Sequence, residues 1–122
     1  MGHGDRIAVV DRNYPAYAAG VPVIRLDGVG VVDALGAILT LLPVDDFDPT
    51  PVARMAVVGA EKTIPAVADE AITSIQSVEN RAVGVEVLER ESFYARAKSA
   101  VAVVATGEAR AYGCFILTKG VL

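Results

Sequence analysis

The sequence predicts an α/β fold: a three-layer αβα sandwich in which helices cover a mixed sheet, with residues 1–122 forming a single domain. Short apolar runs of strand length alternate with longer segments in which apolar residues recur at helical spacing. That alternation argues against separate all-β and all-α blocks. Hydrophobic residues make up 53% of the chain and Trp is absent, which suits a core of small and β-branched side chains. A chain of 122 residues is also long enough to bury such a core as one unit.

The elements follow in order. Arg6 to Val10 reads as a short buried strand that delivers Asp11 to a loop, because Asn13, Pro15, Gly20 and Pro22 punctuate the segment to Pro22. Val23 to Leu26 reads as a second brief strand. Asp33 charges or caps the first turn of a helix running to Leu42, where Pro43 forbids continuation. Asp45, Asp46 and Asp48 fall in a loop with Pro49 and Pro51 and read as a solvated acidic turn, since they lack the glycine and terminal glutamate of a calcium loop. Val52 to Val58 is predicted as a strand. Thr63 ahead of Pro65 announces a long helix with Ile64, Val67, Ala68, Ala71, Ile72, Ile75 and Val78 on one face. Val83 to Val87 alternates as a strand, Glu91 to Ser99 suits a short helix, and Val101 to Ala105 is an apolar strand. Cys114 to Thr118 is predicted as the last strand.

Composition excludes several functions. A net charge of -4, with no Lys/Arg cluster, leaves no footprint for nucleic acid or anionic lipid. The longest apolar stretch, Val29 to Leu42, is broken by Asp33 and falls short of the ~20 residues a membrane span needs. One cysteine and one histidine argue against a structural metal site and an internal disulfide, so a cytoplasmic setting is expected. Gly28-x-Gly30, with its next glycine at Gly36, lacks the dinucleotide fingerprint.

The candidate chemistry rests on few residues. His3, flanked by Gly2 and Gly4, is either a terminal residue without a role or an acid/base group, its type having an ordinary pKa of about 6.5. Asp11 ends a strand, where ligands gather in α/β sheets, though aspartates there also satisfy loop N–H groups. Arg90 between a strand and a helix is either a solvated side chain or a donor to sugar or carboxylate oxygens. Tyr112 offers a phenol near the last strand, and Cys114 is a small core group unless its pKa is lowered.

A collinear set of motifs resembles the fucose mutarotase and ribose pyranase family over nearly the whole chain. The set is Gly2-His3-Gly4-Asp5, Asp11, Pro15, Arg25-Leu26-Asp27-Gly28, Phe93-Tyr94, Thr106-Gly107-Glu108, Tyr112-Gly113 and Lys119-Gly120-Val121. Ribose pyranases carry a histidine where this chain has Arg90, so the resemblance is to the fucose branch. It implies an aldose mutarotase acting on L-fucose or a related monosaccharide by acid/base ring opening, with no cofactor or metal. It also implies ring-like homo-oligomers, decamers in well-known members, with active sites at subunit borders. His3 would be the catalytic proton carrier, with Asp11, Arg90, Tyr112, Gly113 and Cys114 holding the sugar. Asp11 would orient His3 if the two are close. Three positions depart from the family: members carry a helical segment ahead of the Gly-His motif, asparagine stands at Cys114, and histidine is common at Tyr17. If those losses matter, the alternative is a non-catalytic sugar-binding or oligomeric module of the same fold.

Overall fold

The computed structural model describes residues 1–121. One sheet holds all six strands, in the order β2-β5-β1-β6-β3-β4. The strands are β1 (Arg6–Val10), β2 (Val23–Leu26), β3 (Val52–Met55), β4 (Val85–Leu88), β5 (Ala102–Thr106) and β6 (Phe115–Thr118). β1 runs parallel to β5, as do β2 to β5 and β3 to β4, whereas β6 runs antiparallel to both β1 and β3. The other strands therefore share one direction, and β6 opposes them. In consequence one edge of the sheet gathers their carboxyl ends together with the start of β6.

The predicted sandwich forms because the central strands are apolar on both faces. Ile7 and Val9 of β1, Val104 of β5, and Phe115 and Leu117 of β6 bury against α1 (Val31–Leu39) and α2 (Ala66–Glu79). Ala8, Val10, Val103 and Ile116 face the opposite layer. There α3 (Arg90–Ala97) and a 3-10 turn at Ala16–Ala19 supply Phe93, Ala97 and Ala16. Phe93 is completely buried and is the largest fully buried side chain of that second layer.

Several boundaries differ from the sequence reading. β3 stops at Met55 rather than Val58: the Ala56 N–H makes the last ladder bond, to the Leu88 carbonyl at 2.7 Å, and the Ala60 N–H then closes a tight turn on the Val57 carbonyl. α1 starts at Val31, with Asp33 in its first turn but not as its cap; the Glu108 carboxylate accepts the Val31 N–H at 3.3 Å instead. Ile64 and Val78, expected on the inner face of the long helix, are exposed, Ile64 because the helix begins only after Pro65. β4 runs one residue further than expected, to Leu88, with Val87 exposed, and α3 begins at Arg90.

Replacing Phe93 by alanine deletes a fully enclosed ring and should cost about 3–5 kcal/mol. Denaturant unfolding at fixed protein concentration measures this, and a loss below about 1 kcal/mol would show that the second layer does not depend on that ring.

Candidate functional site

β1 ends at Val10, so Asp11 emerges at the carboxyl edge, and its turn organises around it. Its Oδ1 accepts the Asn13 N–H at 3.0 Å, and its carbonyl accepts the Tyr14 N–H at 3.3 Å. Because β6 is antiparallel and lies beside β1, its start sits at the same edge, and the Cys114 thiol donates to Asp11 Oδ2 at 3.4 Å. That thiol is buried; burial, then the neighbouring Asp11 charge, pushes its pKa up. Cys114 is therefore a protonated donor rather than a nucleophile.

Tyr112 holds a left-handed backbone at φ 65°, which a tyrosine adopts at a cost of order 1–3 kcal/mol. The turn aims its hydroxyl at the next strand end, where it accepts the Val58 N–H at 3.3 Å. Gly113 follows in close quarters: a Cβ would sit 3.2 Å from Glu108 Cγ and 3.3 Å from Val67 Cγ2, so a larger residue would make those side chains shift. Arg90, the exposed first residue of α3, lines a cleft of about 210 Å³ together with Val58. Asp11, Cys114, Tyr112 and Arg90 thus follow one another along a single edge. A larger cleft of about 600 Å³ adjoins Asp11, lined among others by Tyr14, Arg25, Asp27 and Thr106.

The edge has a rigid backing. Thr106 Oγ1 donates to the Val10 carbonyl at 2.7 Å and accepts the Glu108 N–H at 3.2 Å. Glu108 is buried, and Arg110, which also bridges to Glu70, holds its carboxyl below the usual range against the cost of burial. Its Oε1 then caps α1, as an anion at a helix N-terminus should.

His3 lies elsewhere. It precedes β1, and Gly4 N–H bonds to the Lys119 carbonyl beyond the end of β6, which fixes the motif at the opposite edge of the sheet. Five residues of β1 at roughly 3.3 Å each place the two edges ~16 Å apart. Within one chain the two are not close, so the condition under which Asp11 would orient His3 is not met. The partner of His3 is Asp45, whose Oδ1 lies 3.0 Å from Nε2. Reading Asp45 as part of a solvated turn is also wrong: the residue is 4% exposed. Burial opposes its charge, but the hydrogen bonds from His3 and from the Asp48 and Phe47 N–H groups outweigh that cost and hold its carboxyl below the usual range. Only the chain fold could reveal this partner, since 42 positions separate the two residues.

A carboxylate can only accept, so Nε2 carries the proton, and Nδ1 of the neutral imidazole has no partner among the described residues. Phe47, 74% exposed, flanks the imidazole with ring centroids 5.4 Å apart. Among the described residues no group of His, Cys, Asp and Glu side chains is placed to hold a metal ion, and no helix is long and apolar enough to cross a membrane.

Residues 1–122 match the RbsD / FucU transport protein family. An L-fucose mutarotase of Actinobacillus pleuropneumoniae serotype 5b (strain L20) is 40% identical over 121 residues, covering 99% of this chain and 84% of that protein. The fucose mutarotase of Homo sapiens is 44% identical over 128 residues, covering 100% and 82%. Among solved structures, the fucose mutarotase of Streptococcus pneumoniae in complex with L-fucose is similar at a TM-score of 0.92 and 38% identity, covering 100% of this chain and 86% of that one. Bacillus subtilis RbsD complexed with D-ribose is less similar, at 0.76 and 27%, with coverage of 100% and 86%.

The tautomer deduced for His3 can be checked directly. Long-range proton–nitrogen NMR spectra of the neutral imidazole should show Nε2 protonated, and Asp45→Asn should shift the population toward the other tautomer. An unchanged tautomer in Asp45→Asn would mean that Asp45 does not set it.

Proposed function

The chain belongs to the RbsD / FucU family, and on that footing we propose that it is an aldose mutarotase interconverting the anomers of L-fucose or a related monosaccharide. One observation carries the assignment of residues: Asp11, Cys114, Tyr112 and Arg90 line one edge of the sheet, beside an open cleft. The greater likeness to fucose mutarotases than to the ribose-bound relative agrees with Arg90 at its position.

Opening a cyclic hemiacetal requires loss of the anomeric O–H proton and protonation of the ring oxygen. Rotation about the C1–C2 bond and closure then give the other anomer. His3 is the proposed proton carrier. With Nε2–H committed to Asp45, Nδ1 takes the anomeric proton and, once protonated, returns it to the ring oxygen. The adjacent carboxylate stabilises the imidazolium formed between the two transfers. Such a positioned transfer is worth roughly 10²- to 10⁴-fold, enough to speed a slow spontaneous equilibration.

The carboxyl edge would hold the sugar. Asp11 keeps lone pairs beyond its bonds to Asn13 and Cys114 and can accept from sugar hydroxyls. Tyr112, whose oxygen already accepts the Val58 N–H, keeps its own proton to donate. Arg90 adds charge-assisted donors. Gly113 leaves room for the chain to turn, and Cys114 fixes the Asp11 carboxylate.

Since His3 and Asp11 occupy opposite edges, the proposed site is shared: His3 of one copy faces the Asp11 edge of another. That requirement supports a homo-oligomer with sites at subunit borders, and a closed ring such as a decamer meets it with every edge paired. A cytoplasmic location is part of the same proposal.

Saturation-transfer NMR between the anomers of several sugars tests the activity. The protein should accelerate exchange of L-fucose, and His3→Ala should lose roughly 10²-fold or more. Sugar binding without exchange in either protein would favour a non-catalytic sugar-binding module, and equal exchange in both would remove His3 from the chemistry.

A further inference from the structure

Tyr14 lies three positions beyond Asp11, and the structure gives it more than a packing role. Its backbone is tied to the aspartate, since the Tyr14 N–H donates to the Asp11 carbonyl at 3.3 Å. Its ring is clamped edge-on by Phe93 and Tyr94, with centroids 5.6 Å and 5.3 Å away, and packs against the cluster that contains Cys114. Rotation of the ring is thereby restricted, so the position of its hydroxyl is set before any ligand arrives.

That hydroxyl has no hydrogen-bond partner among the described residues, although a buried phenol normally finds one. No fully enclosed side-chain oxygen or nitrogen is left without a partner among them, so the phenol oxygen is not fully enclosed, and Tyr14 lines the cleft together with Asp11. Several neighbouring polar groups are already committed. Thr106 Oγ1 donates to Val10, Arg25 pairs with Asp27 at 3.1 Å, and the Cys114 S–H is taken by Asp11. Tyr17, the other phenol of the cleft, is 68% exposed and lacks such a clamp.

We propose that the Tyr14 hydroxyl is a further sugar-binding group, donating to or accepting from a monosaccharide hydroxyl held by Asp11. Resting on the assignment of the carboxyl edge as the sugar site, this adds a neutral contact beside Asp11. Partial burial, with Cys114 and Tyr94 close by, raises the phenol pKa, so the hydroxyl remains a neutral donor across the physiological range. A hydroxyl of this kind recognises an uncharged polyol through one donor and two acceptor sites.

Tyr14→Phe removes the oxygen and keeps the aromatic clamp, so the fold is preserved. NMR titration with L-fucose should show a dissociation constant raised about three- to tenfold, with the thermal midpoint and the exchange rate at saturating sugar unchanged. A series of monodeoxy fucoses identifies the contact: one analogue should bind Tyr14→Phe and the wild-type protein equally, as a double-mutant cycle requires. Wild-type affinity for L-fucose in Tyr14→Phe, or equal weakening toward every analogue, would overturn the proposal while leaving the carboxyl-edge site intact. Failure of the wild-type protein to bind any monosaccharide would overturn both.

Discussion

β1 is the constraint on which the rest of the structure depends. It is hydrogen-bonded on both sides, to β5 and to β6, and three of its five residues have no exposed surface. A strand held this way cannot bend or slip, because a one-residue shift would turn Ile7 and Val9 away from the α1/α2 layer and expose the packing of both faces. It therefore acts as a fixed spacer. One end presents Asp11, the other the Gly-His segment, and no rearrangement within the chain brings them together. The proposal of a site shared between two copies rests on that rigidity rather than on any exposed patch.

The second organising feature is the reversal of β6. Were it parallel to its neighbours, Tyr112, Gly113 and Cys114 would enter the sheet at the edge where His3 lies. Running antiparallel between β1 and β3, it brings them instead to the ends of β1 and β3, next to Asp11 and Val58. The buried Thr106 and Glu108, with the exposed Arg110 bonded to the Glu108 carboxylate, back that edge and tie it to the start of α1. Polar groups buried in this way stabilise only when each is satisfied, and here each one is bonded. The strained φ of Tyr112 fits the same pattern, with backbone energy spent where a side chain must be aimed.

Much of this was legible in the sequence. The apolar runs of β1, β5 and β6 announced strands buried on both faces, the Pro65 start and apolar stripe announced α2, and Asp11, Arg90 and Tyr112 stood at element boundaries where ligands gather. Other features were hidden because they depend on contacts far apart in the chain. Asp45 sits among prolines and aspartates and looks solvated until the fold presses it against His3. Val57 and Val58 look like strand residues, yet a tight turn claims them. Tyr14 carries no signal in the sequence, and only the aromatic clamp that the fold builds around it sets it apart. The separation of His3 from Asp11 is likewise invisible to spacing, since eight positions span very different distances in a loop and in a strand.

The central claim, that His3 and Asp11 of different copies make one site, is tested most directly by complementation. Two variants, His3→Ala and Asp11→Asn, each disable every site when expressed alone. Co-expressed in equal amounts and assembled at random, they should regain about a quarter of the wild-type anomer exchange rate, because that fraction of shared borders pairs an intact His3 with an intact Asp11. A mixed assembly as inactive as either parent would contradict the shared site.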